Sequence, residues 1–262
     1  MNPALSTAAT GMSAQQTRTE VIANNLANVN TTGFKRSRAQ FEDLLYQTMQ
    51  GPQVLASSET NTAPAIQVGR GTRLAAVSRL DTQGALEQTG RSLDVGINGE
   101  GYFPVQMPGG ETAYTRDGSF QISDQGVLVT SDGHQIGAGI KIPSDVTAVT
   151  ISATGVVSGS KGLGGESTEL GRIELARFAN PSGLQAIGQN LFAATPASGE
   201  ATDGFPGDEG MGSLVQGNLE GSNVEIVQEM VDMISAQRAY ELNSKAVKAA
   251  DEMSQTATDL VR

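Results

Sequence analysis

The sequence predicts an α+β fold: N- and C-terminal helices paired as a coiled coil, with an antiparallel β domain inserted between them. Three observations predict it. The first segment carries apolar residues at helical spacing with no breaker, the last segment does the same, and the long middle consists of strand-length runs divided by Gly- and Asp-containing turns.

In the first segment Leu5, Ala8, Met12, Gln15, Thr19, Ile22, Leu26 and Val29 recur at alternating spacings of three and four, and most are apolar, which is the pattern of one coiled-coil seam. Asn2 suits an N-cap and Pro3 suits N1, where the missing N–H has no intrahelical partner to lose. Asn28-Val29-Asn30-Thr31-Thr32-Gly33 reads as a turn, because Asn and Gly accept the left-handed backbone. A second helix is expected from Ser37 to Thr48, with Phe41, Leu44 and Leu45 on one face, until Gly51-Pro52 stops it. From Tyr46 to Pro64 the composition turns polar without a clear period, which reads as a surface loop or an extended excursion.

The middle shows strand-length runs at Arg73–Leu80, Leu93–Ile97, Tyr102–Gln106, Glu111–Arg116, Ser119–Ile122, Gly126–Thr130, Thr147–Ile151, Gly155–Ser158 and Glu169–Phe178. Pro108-Gly109-Gly110, Asp117-Gly118, Asp124-Gln125-Gly126 and Asp132-Gly133 mark hairpins. No helical pattern separates the runs, so parallel crossovers are not expected. From Ala197 to Gly217 a Gly-, Asp- and Pro-containing return leads to the last helix. Ser222-Asn223-Val224-Glu225 reads as a capping box, in which Ser222 accepts from the Glu225 N–H and Glu225 reaches back. No Gly or Pro follows before Arg262, so a helix of about 38 residues, roughly 57 Å long, is expected. It is apolar on two faces. Ile226, Met230, Met233, Gln237, Tyr240 and Val247 form one stripe, and Ala239, Leu242, Ala246, Ala249, Met253 and Leu260 the other. One stripe is expected to zip against the first helix; the second needs either a neighbouring subunit or the chain's own β region.

Composition excludes several function classes. There is no Cys in the 262 residues, so neither a disulfide framework nor a thiolate metal site is possible. The first residues have no basic region followed by an apolar run, so a cleavable secretory signal is not expected, and no window resembles a membrane span. The net charge of -11 lies mostly in the middle, which makes nucleic acid and anionic lipid poor partners. Lys35, Arg36 and Arg38 are the basic cluster, expected to be a solvated face at the start of the second helix.

Catalytic patterns are weak. His134 sits alone in the turn Ser131-Asp132-Gly133-His134 and reads as exposed, without a second His or Cys to share a metal. Asp81 with Glu87, Asp94 with Glu100, and Asp208 with Glu209 offer carboxylate pairs, yet nothing distinguishes one of them from acidic surface. Gly96-Ile97-Asn98-Gly99-Glu100-Gly101 is followed by strand-like Tyr102-Phe103-Pro104-Val105 and by no Lys-Ser/Thr, so a Gly-rich β turn is expected rather than a phosphate loop. No catalytic residue, cofactor or metal is assigned.

Four separated motifs carry a family resemblance. Ala23-Asn24-Asn25-Leu26-Ala27-Asn28-Val29-Asn30-Thr31-Thr32-Gly33-Phe34-Lys35-Arg36 resembles the N-terminal signature of the bacterial flagellar rod and hook family, and Gln237-Arg238-Ala239-Tyr240-Glu241-Leu242-Asn243-Ser244-Lys245-Ala246 resembles its C-terminal counterpart. Leu93-Asp94-Val95-Gly96-Ile97 before Gly101-Tyr102-Phe103, and Tyr114-Thr115-Arg116-Asp117-Gly118-Ser119-Phe120, look like its shared β domain. Phe41-Glu42-Asp43-Leu44-Leu45-Tyr46-Gln47-Thr48, with the chain length, is similar to the distal-rod branch. One departure stands out: members often carry an aromatic and a Lys in the first helical turns, where this chain has Ser6, Thr7 and Ala9.

The resemblance implies a non-enzymatic structural subunit of the distal rod in the flagellar basal body, spanning the periplasm and exported without a cleavable signal. Such subunits polymerise into a rigid hollow drive shaft that carries torque to the hook and encloses the export channel. The implied partners are further copies of the chain, proximal rod proteins, hook protein or hook-side axial proteins, the P- and L-ring proteins and the flagellar type III export apparatus. Polymerisation is expected to involve Leu5, Met12, Ile22, Leu26 and Val29 with Met230, Met233, Tyr240, Leu242, Ala246, Met253 and Leu260. Asn24, Asn25, Asn28, Gly33, Phe34, Arg238 and Asn243 are the signature positions, and Tyr46, Gln47, Gly51, Pro52, Ser57, Glu59 and Pro64 belong to a stiffening insertion at 46–64. The expected domains are a helical polymerisation domain (1–30 and 222–262), a connecting region (31–66 and 203–221) and an outer β domain (67–202). The competing readings are another axial subunit, proximal rod or hook, and a secreted β-rich binding module or enzyme.

Overall fold

The computed structural model describes residues 3–260 except 51–52, 55–61, 64–65, 138, 162–166 and 209. The chain divides into two compact units. One gathers the residues up to Leu26, Ser37–Ser78 and those from Glu225 on; the other holds Ala27–Arg36 and Arg79–Val224.

The first unit is built on two long helices, α1 (Pro3–Ala27) and α2 (Ile226–Leu260). They pair antiparallel, as contacts along their length show. Gly11 lies against Asn243, Arg18 reaches Asp232 at 3.0 Å, and Asn25 donates to Glu229 at 3.2 Å. The seam follows heptads: Glu229, Ala236, Asn243 and Ala250 form its line on α2, and Ala8, Gln15 and Ile22 alternate with Gly11, Arg18 and Asn25 on α1. The coiled-coil pairing is as expected, but half of its α1 line is shifted by one residue. Leu5, Met12, Thr19 and Leu26 are half-buried on its shoulder, and Val29 lies beyond the helix in the following turn.

On α2 the correction is larger. Neither expected stripe is the seam: Ile226, Met230, Tyr240, Leu242, Ala246 and Met253 are exposed, and Met233 and Val247 are half-buried. Ala8, Gly11, Ala236 and Ala250 are among the seam positions, and their small side chains need little room, while the bulky apolar residues are left outside. The start of α2 also differs. The Ser222 hydroxyl accepts from the Val224 N–H at 3.3 Å, and the helix begins at Ile226 rather than through the expected box.

The segment expected as a second helix is a β ribbon. Ser37–Asp43 pairs with Thr72–Arg79, Tyr46–Gln50 pairs antiparallel with Ile66–Gly69, and Gln53–Val54 pairs with Thr62–Ala63. The spacing of Phe41, Leu44 and Leu45 fits a helical face, but the partner strand, rich in Leu74, Ala75, Ala76 and Val77, supplies backbone hydrogen bonds that decide the conformation. The polar excursion is the outer part of this ribbon in its described residues.

The second unit is antiparallel throughout its named strand pairs. Its largest sheet runs in the order Gln121–Ile122, Leu128–Val129, Gln135–Ile136, Phe103–Gln106, Thr112–Thr115, Leu191–Ala193, Gln185–Gly188. A second sheet joins Ala148–Ile151, Val156–Ser160 and Ser167–Arg172. The run Glu169–Phe178 therefore splits, its later part Leu175–Arg177 pairing with Thr202–Gly204. The expected return loop contributes strands too, and Ser213–Gln216 pairs with Val95–Asn98 inside the core. Asn218–Glu220 pairs with Leu86–Gln88. The core packs Val95, Ile97, Phe103, Phe120, Leu128, Val157, Ile173 and Leu175, with a second cluster of Tyr102, Tyr114, Phe178 and Phe192 meeting edge to face.

Candidate functional site

Three places collect the residues singled out by sequence: the outside of the helix pair, the ribbon, and the segments of the β unit that lead to and from the helices. On the helix pair the seam is already filled, yet α2 leaves Ile226, Val227, Met230, Val231 and Ile234 exposed in adjacent turns, with Leu242 and Met253 further along. Spacings of four put Ile226, Met230 and Ile234 on one face, and Val227 and Val231 beside them. The Leu260 side chain lies outside the described residues.

Asn25 closes the other end of α1. Its side chain is buried, donates to the Ser37 carbonyl at 2.8 Å and accepts from the Ser37 N–H at 2.9 Å, so an amide bearing both donor and acceptor is required there. Asn24 and Arg238 face solvent, whereas Asn243 is half-buried against Gly11. Asn28 accepts from the Thr31 N–H and hydroxyl, closing the turn that leads to Gly33. Gly33 has φ +69°, and a Cβ there would stand 2.9 Å from the Arg116 backbone, so conformation and space both demand glycine. Phe34 is half-buried.

Beside Gly33 lies a buried charge cluster. The Glu220 carboxylate accepts from Lys35 Nζ at 2.6 Å, from Arg116 Nε at 2.8 Å and from the Gly84 N–H at 2.9 Å. Lys35 also donates to the Thr82 carbonyl at 2.8 Å, and Arg116 donates to the carbonyls of Gly99 and Gly101, both at 2.9 Å. One carboxylate between two cations is tolerable out of water because each cation also donates to backbone carbonyls, Lys35 to one and Arg116 to two. Burial, reinforced by the Arg116 charge, still holds the Lys35 ammonium below the usual lysine range. The basic cluster is therefore not a solvated face: Lys35 is buried, Arg36 is half-buried and only Arg38 is exposed. Next to it Tyr102 donates to Asp81 at 3.1 Å, and Arg79 donates to the same oxygen at 2.8 Å.

In the ribbon Tyr46 and Gln47 are exposed, together with Leu45, Met49, Ile66 and Val68. Gly51, Pro52, Ser57, Glu59 and Pro64 lie outside the described residues. Among the described residues no cluster of three metal-ligating side chains occurs, and no helix is long and apolar enough to cross a membrane. His134 is half-buried in its turn. Gly96 and Ile97 belong to a core strand, which is why the Gly-rich stretch around them is not a phosphate loop.

Three family models match along the chain: a flagella basal body rod protein model over residues 5–35, the flagellar hook protein FlgE/F/G D1 domain over 96–159, and the flagellar basal body rod FlgEFG protein C-terminal over 215–260. The flagellar basal-body rod protein FlgG of Borreliella burgdorferi is 50% identical over 264 residues, covering 100% of each chain. Its counterpart in Caulobacter vibrioides is 49% identical over 98% of both chains. The chain belongs to the FlgG family of flagellar basal-body rod proteins. The rod protein FlgF of Caulobacter vibrioides is more distant, at 35% identity over 95% of each chain. A FlgG-family chain is a structural subunit of the distal rod in the basal body, not an enzyme. The family models at the two ends cover most of α1 and all of α2, so the segments read as helical by spacing lie within the matched regions.

Sequence reasoning missed Glu220, Arg116 and Asn223 as site residues. Asn223 accepts from the Arg36 N–H at 2.7 Å and donates to the carbonyls of Leu80 at 2.9 Å and Thr82 at 3.0 Å. The available signal was an Asn following Gly221-Ser222, which sequence patterns assign equally well to a cap.

Proposed function

We propose that the outer face of α2 is the surface through which copies of this chain polymerise into a hollow, rigid rod that carries torque from the basal body to the hook and encloses an export channel. The observation that carries this reading is the apolar face left on α2 after the intrachain seam is complete. Val227 is 77% exposed, Leu242 66% and Met253 64%. The exposed Ile226, Val227, Met230, Val231 and Ile234 lie in adjacent turns, and an apolar patch of this kind marks an association site. The proposal extends to the finer partners: proximal rod proteins at one end, hook-side axial proteins at the other, P- and L-ring proteins around the shaft, and delivery by the flagellar type III export apparatus.

The expected domain division accompanies this reading, with the helices as the polymerising part, the ribbon of the 46–64 insertion as a stiffening element between subunits, and the β domain as outer wall. Assignment to the distal rather than the proximal rod is supported by the higher identity to FlgG than to FlgF within one organism.

Electron microscopy of the purified chain tests the proposal. Wild-type protein is expected to form ordered tubes, and Met230→Glu with Ile234→Glu is expected to abolish them while leaving the intrachain seam intact. Tubes of normal dimensions from that double variant would remove α2's outer face from the interface.

A further inference from the structure

The chain passes between its two compact units at four places: Leu26 to Ala27, Arg36 to Ser37, Ser78 to Arg79, and Val224 to Glu225. Within the β unit, the residues at three of these passages, beside Arg36, Arg79 and Val224, are bonded to one another. The Gly33 N–H donates to the Glu220 carbonyl at 2.7 Å and the Leu80 N–H to the Arg36 carbonyl at 2.8 Å. Asn223 binds the backbone of Arg36, Leu80 and Thr82 through one side chain. Lys35 runs parallel to it chemically, linking the Thr82 carbonyl to Glu220.

Segments far apart in sequence thus meet through side chains that each bond to two or more of them. We propose that Asn223, Lys35 and Glu220 form a clamp that makes these three passages into the β unit move as one body, so that load enters that unit through a bundle rather than through separate flexible strands. Single backbone connections twist readily about φ and ψ. Cross-bonding them removes that freedom, and the buried carboxylate resists slippage because moving it would leave Lys35 and Arg116 uncompensated. The mechanical meaning rests on the torque-bearing reading above; the clamp itself does not.

Amide hydrogen exchange on the full-length monomer reads the clamp directly. Asn223→Ala is expected to speed exchange at Arg36 and Leu80 by about tenfold or more, in line with the loss of several hydrogen bonds, while the amides of Phe103 and Val105 in the core strand keep their protection. Asn223→Asp keeps the acceptor for the Arg36 N–H and loses both carbonyl-directed donors, so its effect at Arg36 should be smaller. If the alanine variant does not fold, the aspartate variant carries the test. Unchanged exchange at Arg36 and Leu80, or a uniform rise that includes the core strands, would overturn the clamp. Rods assembled from the variant should twist further under a given torque than wild-type rods, and equal twist would overturn its load-bearing role. Should wild-type chain form no rods, the polymerisation reading fails while the exchange result still decides the clamp.

Discussion

Tyr102 shows how a single residue ties the core to the charged cluster. Its ring packs edge to face with Phe178 and Phe192, and its hydroxyl donates to Asp81. Burial first, and then the Asp81 charge, raises the phenol far above its usual 10.0. A group whose pKa is raised on folding contributes stability fully present below its unfolded value and lost as pH climbs toward the folded one. Above pH 10 the unfolded phenol ionises and the folded one does not, so the chain loses about 1.4 kcal/mol per pH unit through this group. Tyr102→Phe removes that slope. It also removes a bond to a carboxylate, about 1.5–3 kcal/mol at neutral pH, so urea titrations should show a deficit at pH 7 that shrinks above pH 10. Lys35 acts in the opposite sense, since its lowered pKa makes stability rise with pH below 10.5, but it is common to both proteins and cancels in the comparison. Parallel stability curves for the two proteins from pH 7 to 11 would refute the account. Gly33 was legible as a turn residue from Asn-Thr-Thr-Gly, whereas the Glu220 cluster was not: its partners lie 185 and 104 residues away, and no local pattern reports so distant a pairing.

At the scale of elements the sequence revealed both long helices but only half of their contact. Counting apolar residues favours Met230, Tyr240 and Leu242, whereas the seam includes Ala8, Gly11, Ala236 and Ala250, whose small side chains carry little hydrophobic weight. Ala236 is fully buried, so Ala236→Leu overfills the interface at an expected cost of about 1–3 kcal/mol. Leu and Ala have nearly the same helix propensity, and Ala246→Leu, at an exposed position of the same helix, serves as the control. Thermal melts followed by far-ultraviolet circular dichroism should show the first variant melting earlier and the second close to wild type. Equal melts would mean that the seam lies elsewhere. The ribbon was misread for a different reason. Phe41, Leu44 and Leu45 satisfy a helical face locally, and only the strand Thr72–Arg79, about 30 residues on by the Thr72–Glu42 hydrogen bond, reveals the β pairing.

For the molecule as a whole, most of the exposed large apolar side chains among the described residues lie on two kinds of surface, the helical face of α2 and the ribbon with its partner strand, while Ile122 and Ile187 sit singly on the two edge strands of the largest sheet. The ribbon exposes Leu45, Tyr46, Met49, Ile66 and Val68 along a two-stranded stem. An isolated two-stranded ribbon is marginal in water, so its order should increase when another copy covers it. In a polymer held together by helices, such a ribbon adds contacts that resist bending without being needed for subunit addition. Deleting Tyr46–Pro64 removes most of the stem while sparing α1 and α2, so assembly should continue and only stiffness should fall. Electron micrographs of these rods are expected to show curved, more flexible tubes with shorter persistence lengths than wild type. Straight rods from the deletion would assign stiffness to the helices alone, and complete loss of rods would make the ribbon part of the assembly surface itself.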